Sequence, residues 1–113
     1  MKFYTIGDLS KSFNLSRSTL LYYDKKGLLS PSTRSSANYR RYCEKDCERL
    51  EKIMLYRQTG LSLNEILRLL KSGAEGLRTK VLTEQLRRIN GDINLLRQQQ
   101  QVIIQMLGSA QLT

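Results

Sequence analysis

Ser16-Arg17-Ser18-Thr19-Leu20-Leu21-Tyr22-Tyr23-Asp24-Lys25-Lys26-Gly27 is the stretch from which the architecture follows. Ser16 is the residue type that accepts hydrogen bonds from the free N–H groups of a helical first turn, and Gly27 stands where a chain leaves a helix in the left-handed conformation. Between them Leu20 and Tyr23, three residues apart, define a buried face. The opposite face then presents Arg17, Ser18, Leu21, Tyr22 and Lys25. Upstream, Thr5 followed by Asp8 marks another helix start, and Ile6, Leu9 and Phe13 supply its apolar stripe before Asn14 and Leu15 interrupt it. Two short helices joined by a tight turn result, with the basic one second. In a helix-turn-helix that second element enters the DNA major groove. Arg17, in its first turn, offers a bidentate fork to guanine or a clamp on phosphate, whereas Leu21 is limited to a thymine methyl.

Downstream the text changes. Pro31, the small polar run Ser32, Thr33, Ser35 and Ser36, and then Tyr39 and Tyr42 around Arg40 and Arg41 predict a small hairpin. Asn38 falls where the turn needs positive φ, which Asn tolerates better than most residues. Strand alternation puts Tyr39 and Arg41 on one face and Arg40 and Tyr42 on the other. Arginines and tyrosine hydroxyls are donors that position a DNA backbone without reading sequence. Helix, turn, helix, hairpin is the order of a winged helix-turn-helix. A third helix is predicted from Glu44 to Thr59, with Cys47, Leu50, Ile53 and Met54 inward and Gly60 closing it. Ser62 and Glu65 form a capping box for a fourth, carrying Leu63, Ile66, Leu67 and Leu70 and ending at Ser72 and Gly73.

The strongest periodicity comes last. Leu82, Leu86, Ile89, Ile93, Leu96, Gln100, Ile103 and Leu107 alternate spacings of four and three, a coiled-coil seam. A helix from Glu75 to Leu107 is roughly 45–50 Å long, more than a head of this size covers, so it requires a partner helix. Gln100 is the polar seam residue, a type that fixes register or partner number at some cost in stability. Residues 1–72 therefore read as a DNA-binding head, 75–107 as a dimerisation helix, and 108–113 as a tail or the start of a further segment.

Composition narrows the function. The 113 residues carry 19 Lys+Arg against 10 Asp+Glu, a formal charge of +9, and residues 17–42 concentrate Arg17, Lys25, Lys26, Arg34, Arg40 and Arg41 against Asp24 alone. Such a cluster suits a polyanion. The absence of His removes the usual general base near neutral pH and the commonest metal ligand, so catalysis is not expected, nor any metal or cofactor. No apolar run approaches a membrane span and no secretion signal is present, which points to the cytoplasm. Cys43 and Cys47, spaced i, i+4, are able to share a soft metal, but two thiolates are too few for tetrahedral zinc. The competing reading makes Cys47 a small core residue and Cys43 a helix cap.

Thr5 to Leu9, Ser16, Thr19-Leu20-Leu21-Tyr22-Tyr23-Asp24, Lys26-Gly27-Leu28-Leu29, Pro31 and Asn38-Tyr39-Arg40-Arg41-Tyr42 together resemble the signature of the MerR family of bacterial transcription regulators. The resemblance covers residues 4–71, and the seam helix is similar to that family's antiparallel dimerisation helix. It implies a homodimer that binds a promoter dyad with an unusually long spacer and distorts that DNA to help RNA polymerase open it. By position, Arg17 and Ser18 start the recognition helix, Tyr22 lies near the backbone, Arg34 sits on the wing, and Tyr39 with Arg40 hold phosphate. The family usually carries Arg at Leu21 and Gly at Asn38. Family members sense their signal beyond the dimerisation helix, and a chain ending at Thr113 is expected to be truncated there or to be a minimal member. Competing expectations are an architectural or recombination accessory protein that bends DNA, and a coiled-coil adaptor whose basic head meets an acidic protein or an anionic membrane.

Overall fold

The computed structural model describes residues 2–110. The chain divides into two compact units between Gly73 and Ala74. The first contains α1 (Ile6–Phe13), α2 (Arg17–Lys26), β1 (Thr33–Arg34), β2 (Arg40–Arg41), α3 (Glu44–Arg57) and α4 (Leu63–Lys71); the second is α5 (Leu77–Ala110).

Caps set the helix boundaries. At α1 the Thr5 N–H donates to Asp8 Oδ2 (2.8 Å) and the Asp8 N–H to Thr5 Oγ1 (3.0 Å). Asn14, left-handed at φ 53°, ends the helix, and two residues later Ser16 Oγ accepts the Thr19 N–H at 3.0 Å. This is the tight turn expected from the sequence, made by an asparagine rather than a glycine. Gly27 closes α2 at φ 78°, and the N–H groups of Leu28 and Leu29 both return to the Tyr23 carbonyl. Arg49 of α3 donates Nε–H to the Leu28 carbonyl at 2.6 Å, fastening this corner to the third helix.

The core of the head is contiguous: Leu9, Leu20, Tyr23, Leu28, Leu29, Tyr42, Leu50, Ile53, Leu61 and Ile66 are each at most 3% exposed. Every helix of the unit contributes to it, so the apolar stripes at i, i+3 and i, i+4 become one packed interior. The predicted inward residues Cys47 and Met54 are half-buried, as are Leu63, Leu67 and Leu70.

The hairpin is short. β1 and β2 pair antiparallel in the register Thr33 with Arg41 and Arg34 with Arg40. Asn38 turns the tip at φ 66°, and its N–H donates to the Ser35 carbonyl at 2.8 Å. Tyr42, one residue past β2, bridges to Tyr4 through reciprocal backbone bonds of 2.8 Å. At the root Asp46 accepts from the Ser32 N–H (3.2 Å), the Ser32 hydroxyl (2.6 Å) and the Cys43 N–H (2.8 Å), so one carboxylate caps α3 and holds the descending arm of the hairpin.

Three boundaries differ from expectation. α3 ends at Arg57 rather than Thr59, because the Gln58, Thr59 and Gly60 N–H groups turn back on nearby carbonyls and Gly60 leaves at φ 81°. α5 begins at Leu77 rather than Glu75, since Gly76 at φ 87° cannot sit in a right-handed helix. The boundary expected between Leu107 and Gly108 is corrected: the helix runs through Ala110, with residues 111–113 outside the described residues. A glycine lowers helix propensity by only about 1 kcal/mol, too little to break a helix this long by itself.

Candidate nucleic-acid interface

The exposed side of α2 is built by subtraction. With Leu20 and Tyr23 in the core, Arg17, Ser18, Leu21, Tyr22 and Lys25 are left outside, Leu21 at 42% and Tyr22 at 44% exposure. Lys26 Nζ lies 5.6 Å from the Tyr22 ring centroid, a cation–π contact that steadies the ring without burying it. The Ser16 cap leaves Arg17 as the first residue of the helix, where its guanidinium reaches back across α1. Its Nη2 stands 3.1 Å from the point a Cβ on Gly7 would occupy, so the bare backbone of Gly7 makes room for it. Gly7 was not legible as a functional position. Only the fold brings residues 7 and 17 together.

The hairpin separates its two tyrosines, as alternation along the strand places them. Tyr39 is 74% exposed at the tip while Tyr42 is fully buried. Arg40, expected to hold phosphate, donates Nε–H to Asp24 Oδ2 at 3.1 Å, and Ser30 Oγ donates to the other oxygen at 3.0 Å. The wing is thereby pinned to the last turn of α2. Arg41 stacks over the Phe3 ring, 4.4 Å from its centroid. Arg34, exposed on β1, donates Nη1–H to the Asn38 carbonyl at 3.2 Å, bracing the turn. The fold thus draws the predicted residues into two groups: α2 side chains in one row, and Tyr39 with Arg40 beside the start of α1. Thr5, Gly7, Arg17, Asn38, Tyr39 and Arg40 line one concavity of about 240 Å³.

The cysteines separate. Cys43 is the N-cap of α3, with Sγ 3.0 Å from Ser32 Oγ. Burial first, and then the carboxylates of Glu44 and Asp46, push the Cys47 thiol above its usual range, which keeps it protonated at neutral pH. Among the described residues no three His, Cys, Asp or Glu side chains are grouped to hold a metal ion.

In the second unit, Leu86, Ile89, Ile93, Leu96, Gln100, Ile103 and Leu107 are all exposed along α5, and Leu82 is half-buried. Thirty-four residues at about 1.5 Å each give a rod of roughly 50 Å. Among the described residues no helix is long and apolar enough to cross a membrane.

Comparison with known proteins places these features in context. Residues 4–73 match the profile described as MerR HTH family regulatory protein. The HTH-type transcriptional activator TipA of Streptomyces coelicolor is 41% identical over 71 residues, 63% of this chain but 28% of that protein. The chain therefore spans little more than a quarter of that relative's length. Among solved structures, the N-terminus of MtaN, the Bacillus subtilis multidrug transporter activator, superposes with a TM-score of 0.84 at 29% identity, covering 92% of this chain and 97% of that one. HiNmlR, a MerR family regulator lacking the sensor domain and solved bound to promoter DNA, gives a TM-score of 0.64 at 26% identity over 86% of this chain and 77% of that one. These proteins are regulators of transcription rather than enzymes.

Proposed function

Because the chain belongs to the MerR family of helix-turn-helix regulatory proteins, we propose that it binds promoter DNA as a homodimer and controls RNA polymerase by distorting the DNA between its half-sites. The observation that carries this reading is the outward face of α2, where Arg17, Ser18, Leu21, Tyr22 and Lys25 stand free of the core beside an exposed Tyr39. A groove-reading helix flanked by a backbone-gripping wing has this form. The likeness to a relative solved on promoter DNA supports the same ligand here. Paired copies along Leu82, Leu86, Ile89, Ile93, Leu96, Gln100, Ile103 and Leu107 present two heads to two half-sites. This pairing rests on the exposed seam of α5, because a helix bearing that much apolar surface is stabilised by covering it.

Footprinting on a duplex selected from a randomised library tests the reading. Two protected half-sites related by a dyad are expected. Protection of a single half-site, or none at moderate salt, would overturn it. In an in vitro transcription assay the protein is expected to change open-complex formation at a promoter carrying that dyad; a protein that bends the DNA with no effect on transcript yield is architectural instead.

A further inference from the structure

The concavity between the start of α1, Arg17 and the wing contains an electrostatic arrangement that the folded protein alone does not resolve. The N–H groups of Ile6 and Gly7 open α1 and precede any possible intrahelical acceptor, and they carry the positive end of the helix dipole. The Arg17 guanidinium lies directly over Gly7, with Nη2 3.1 Å from the position of an added Cβ. Among the described residues Arg17 forms no ion pair. Two positive groups therefore face the same space. Asp8, the carboxylate of this turn, is directed back to the Thr5 N–H at 2.8 Å and does not line the concavity. On the far wall stand Arg40, held in place through Nε by Asp24, and the exposed ring of Tyr39. No acidic residue is among the lining groups.

We infer that a single phosphodiester of the DNA backbone seats in this notch, so that Arg17 acts as a backbone clamp and not as a reader of base edges. The assignment rests on the duplex-binding reading above and decides between the two roles, guanine fork and phosphate clamp, that the sequence leaves open for Arg17. A phosphodiester carries one negative charge and two free oxygens. One oxygen suits the paired N–H groups of a helix start and the other suits a guanidinium fork. The notch is open to solvent on one side, as a group carried on a polymer requires. Gly7 is the selective feature: a methyl there forces the guanidinium aside by a few tenths of an ångström without disturbing the helix.

The test uses the full chain and a duplex selected by the wild type from a randomised library, with affinity read by fluorescence anisotropy. Arg17→Ala is expected to weaken binding by about tenfold or more, the loss of one charge-assisted contact. The loss should be equal on the selected duplex and on its single-base variants, with the salt slope shallower by about one unit. Duplexes in which single phosphates are replaced by neutral methylphosphonates should contain one position per half-site that weakens the wild type comparably yet weakens Arg17→Ala little further. Gly7→Ala should weaken binding less than Arg17→Ala and lose part of the same phosphate dependence while melting no lower than the wild type. A change in base preference at one position on Arg17→Ala, or no phosphate coupled to Arg17, overturns the seat while leaving duplex binding in place. Failure of the wild type to bind any duplex at low salt overturns both readings.

Discussion

Tyr42 is the largest side chain wholly inside the head, yet its hydroxyl has no hydrogen-bond partner among the described residues. An unpaired buried hydroxyl is destabilising by about 1–3 kcal/mol relative to a satisfied one. Tyr42→Phe, which keeps the ring, is therefore expected to hold or raise the melting temperature. A clear fall would mean that the hydroxyl has a partner in solution. Burial also pushes this phenol above its usual 10.0, with the Arg40 charge opposing the shift and Asp24 and Asp46 adding to it. The folded chain then keeps a proton that the unfolded chain releases. The corresponding stability is complete below the ordinary tyrosine value and is lost as pH rises beyond it. Denaturant titrations across the alkaline range should show a smaller decline for Tyr42→Phe. Cys47, also held protonated by burial, is expected to react with iodoacetamide at neutral pH more slowly than a cysteine in an unstructured peptide, which mass spectrometry measures directly.

Among the elements, the helices were the readable part and the wing the least. Thr5 with Asp8, Ser16, Gly27, and Ser62 with Glu65 act locally, through hydrogen bonds spanning three residues or a single left-handed position, so the sequence alone announces them. The hairpin was foreseeable from Asn38 and the tyrosines, but the partners of its arginines were not. Asp24 lies sixteen positions from Arg40 and Phe3 thirty-eight from Arg41, separations that no periodicity encodes. The same holds for Gly7 beneath Arg17 and for Asp46, whose three hydrogen bonds join α3 to Ser32. Asp46→Ala removes a helix cap and the anchor of a hairpin arm together. A loss of about 1–2 kcal/mol is expected, or a fall of roughly 4–8 °C in melting temperature per kcal/mol. A change within error by calorimetry would show that the wing root is held without it.

For the molecule as a whole the decisive surface is α5, where Ile93, Leu96, Ile103 and Leu107 are displayed on a single helix. Their spacing was plain in the sequence because heptad patterning is the most regular signal a chain carries, whereas the helix start was misplaced by two residues at Gly76. Sedimentation equilibrium is expected to show a dimer, Leu96→Asp to give monomers at the same concentration, and Gln100→Leu to tighten association while loosening register. A monomeric wild type at high concentration would remove the basis for two half-sites. With a formal charge of +9, duplex affinity should fall steeply with added salt.

The two carboxylates that pin the hairpin, Asp24 at one arm and Asp46 at the other, turn the head into a calliper of set span. A calliper whose arms are tied in this way passes part of any misfit to what it measures. Operators with identical contacted bases but different intervening steps should then be ranked by how readily those steps kink, with TA and CA steps preferred over stiff A-tracts at positions no side chain touches.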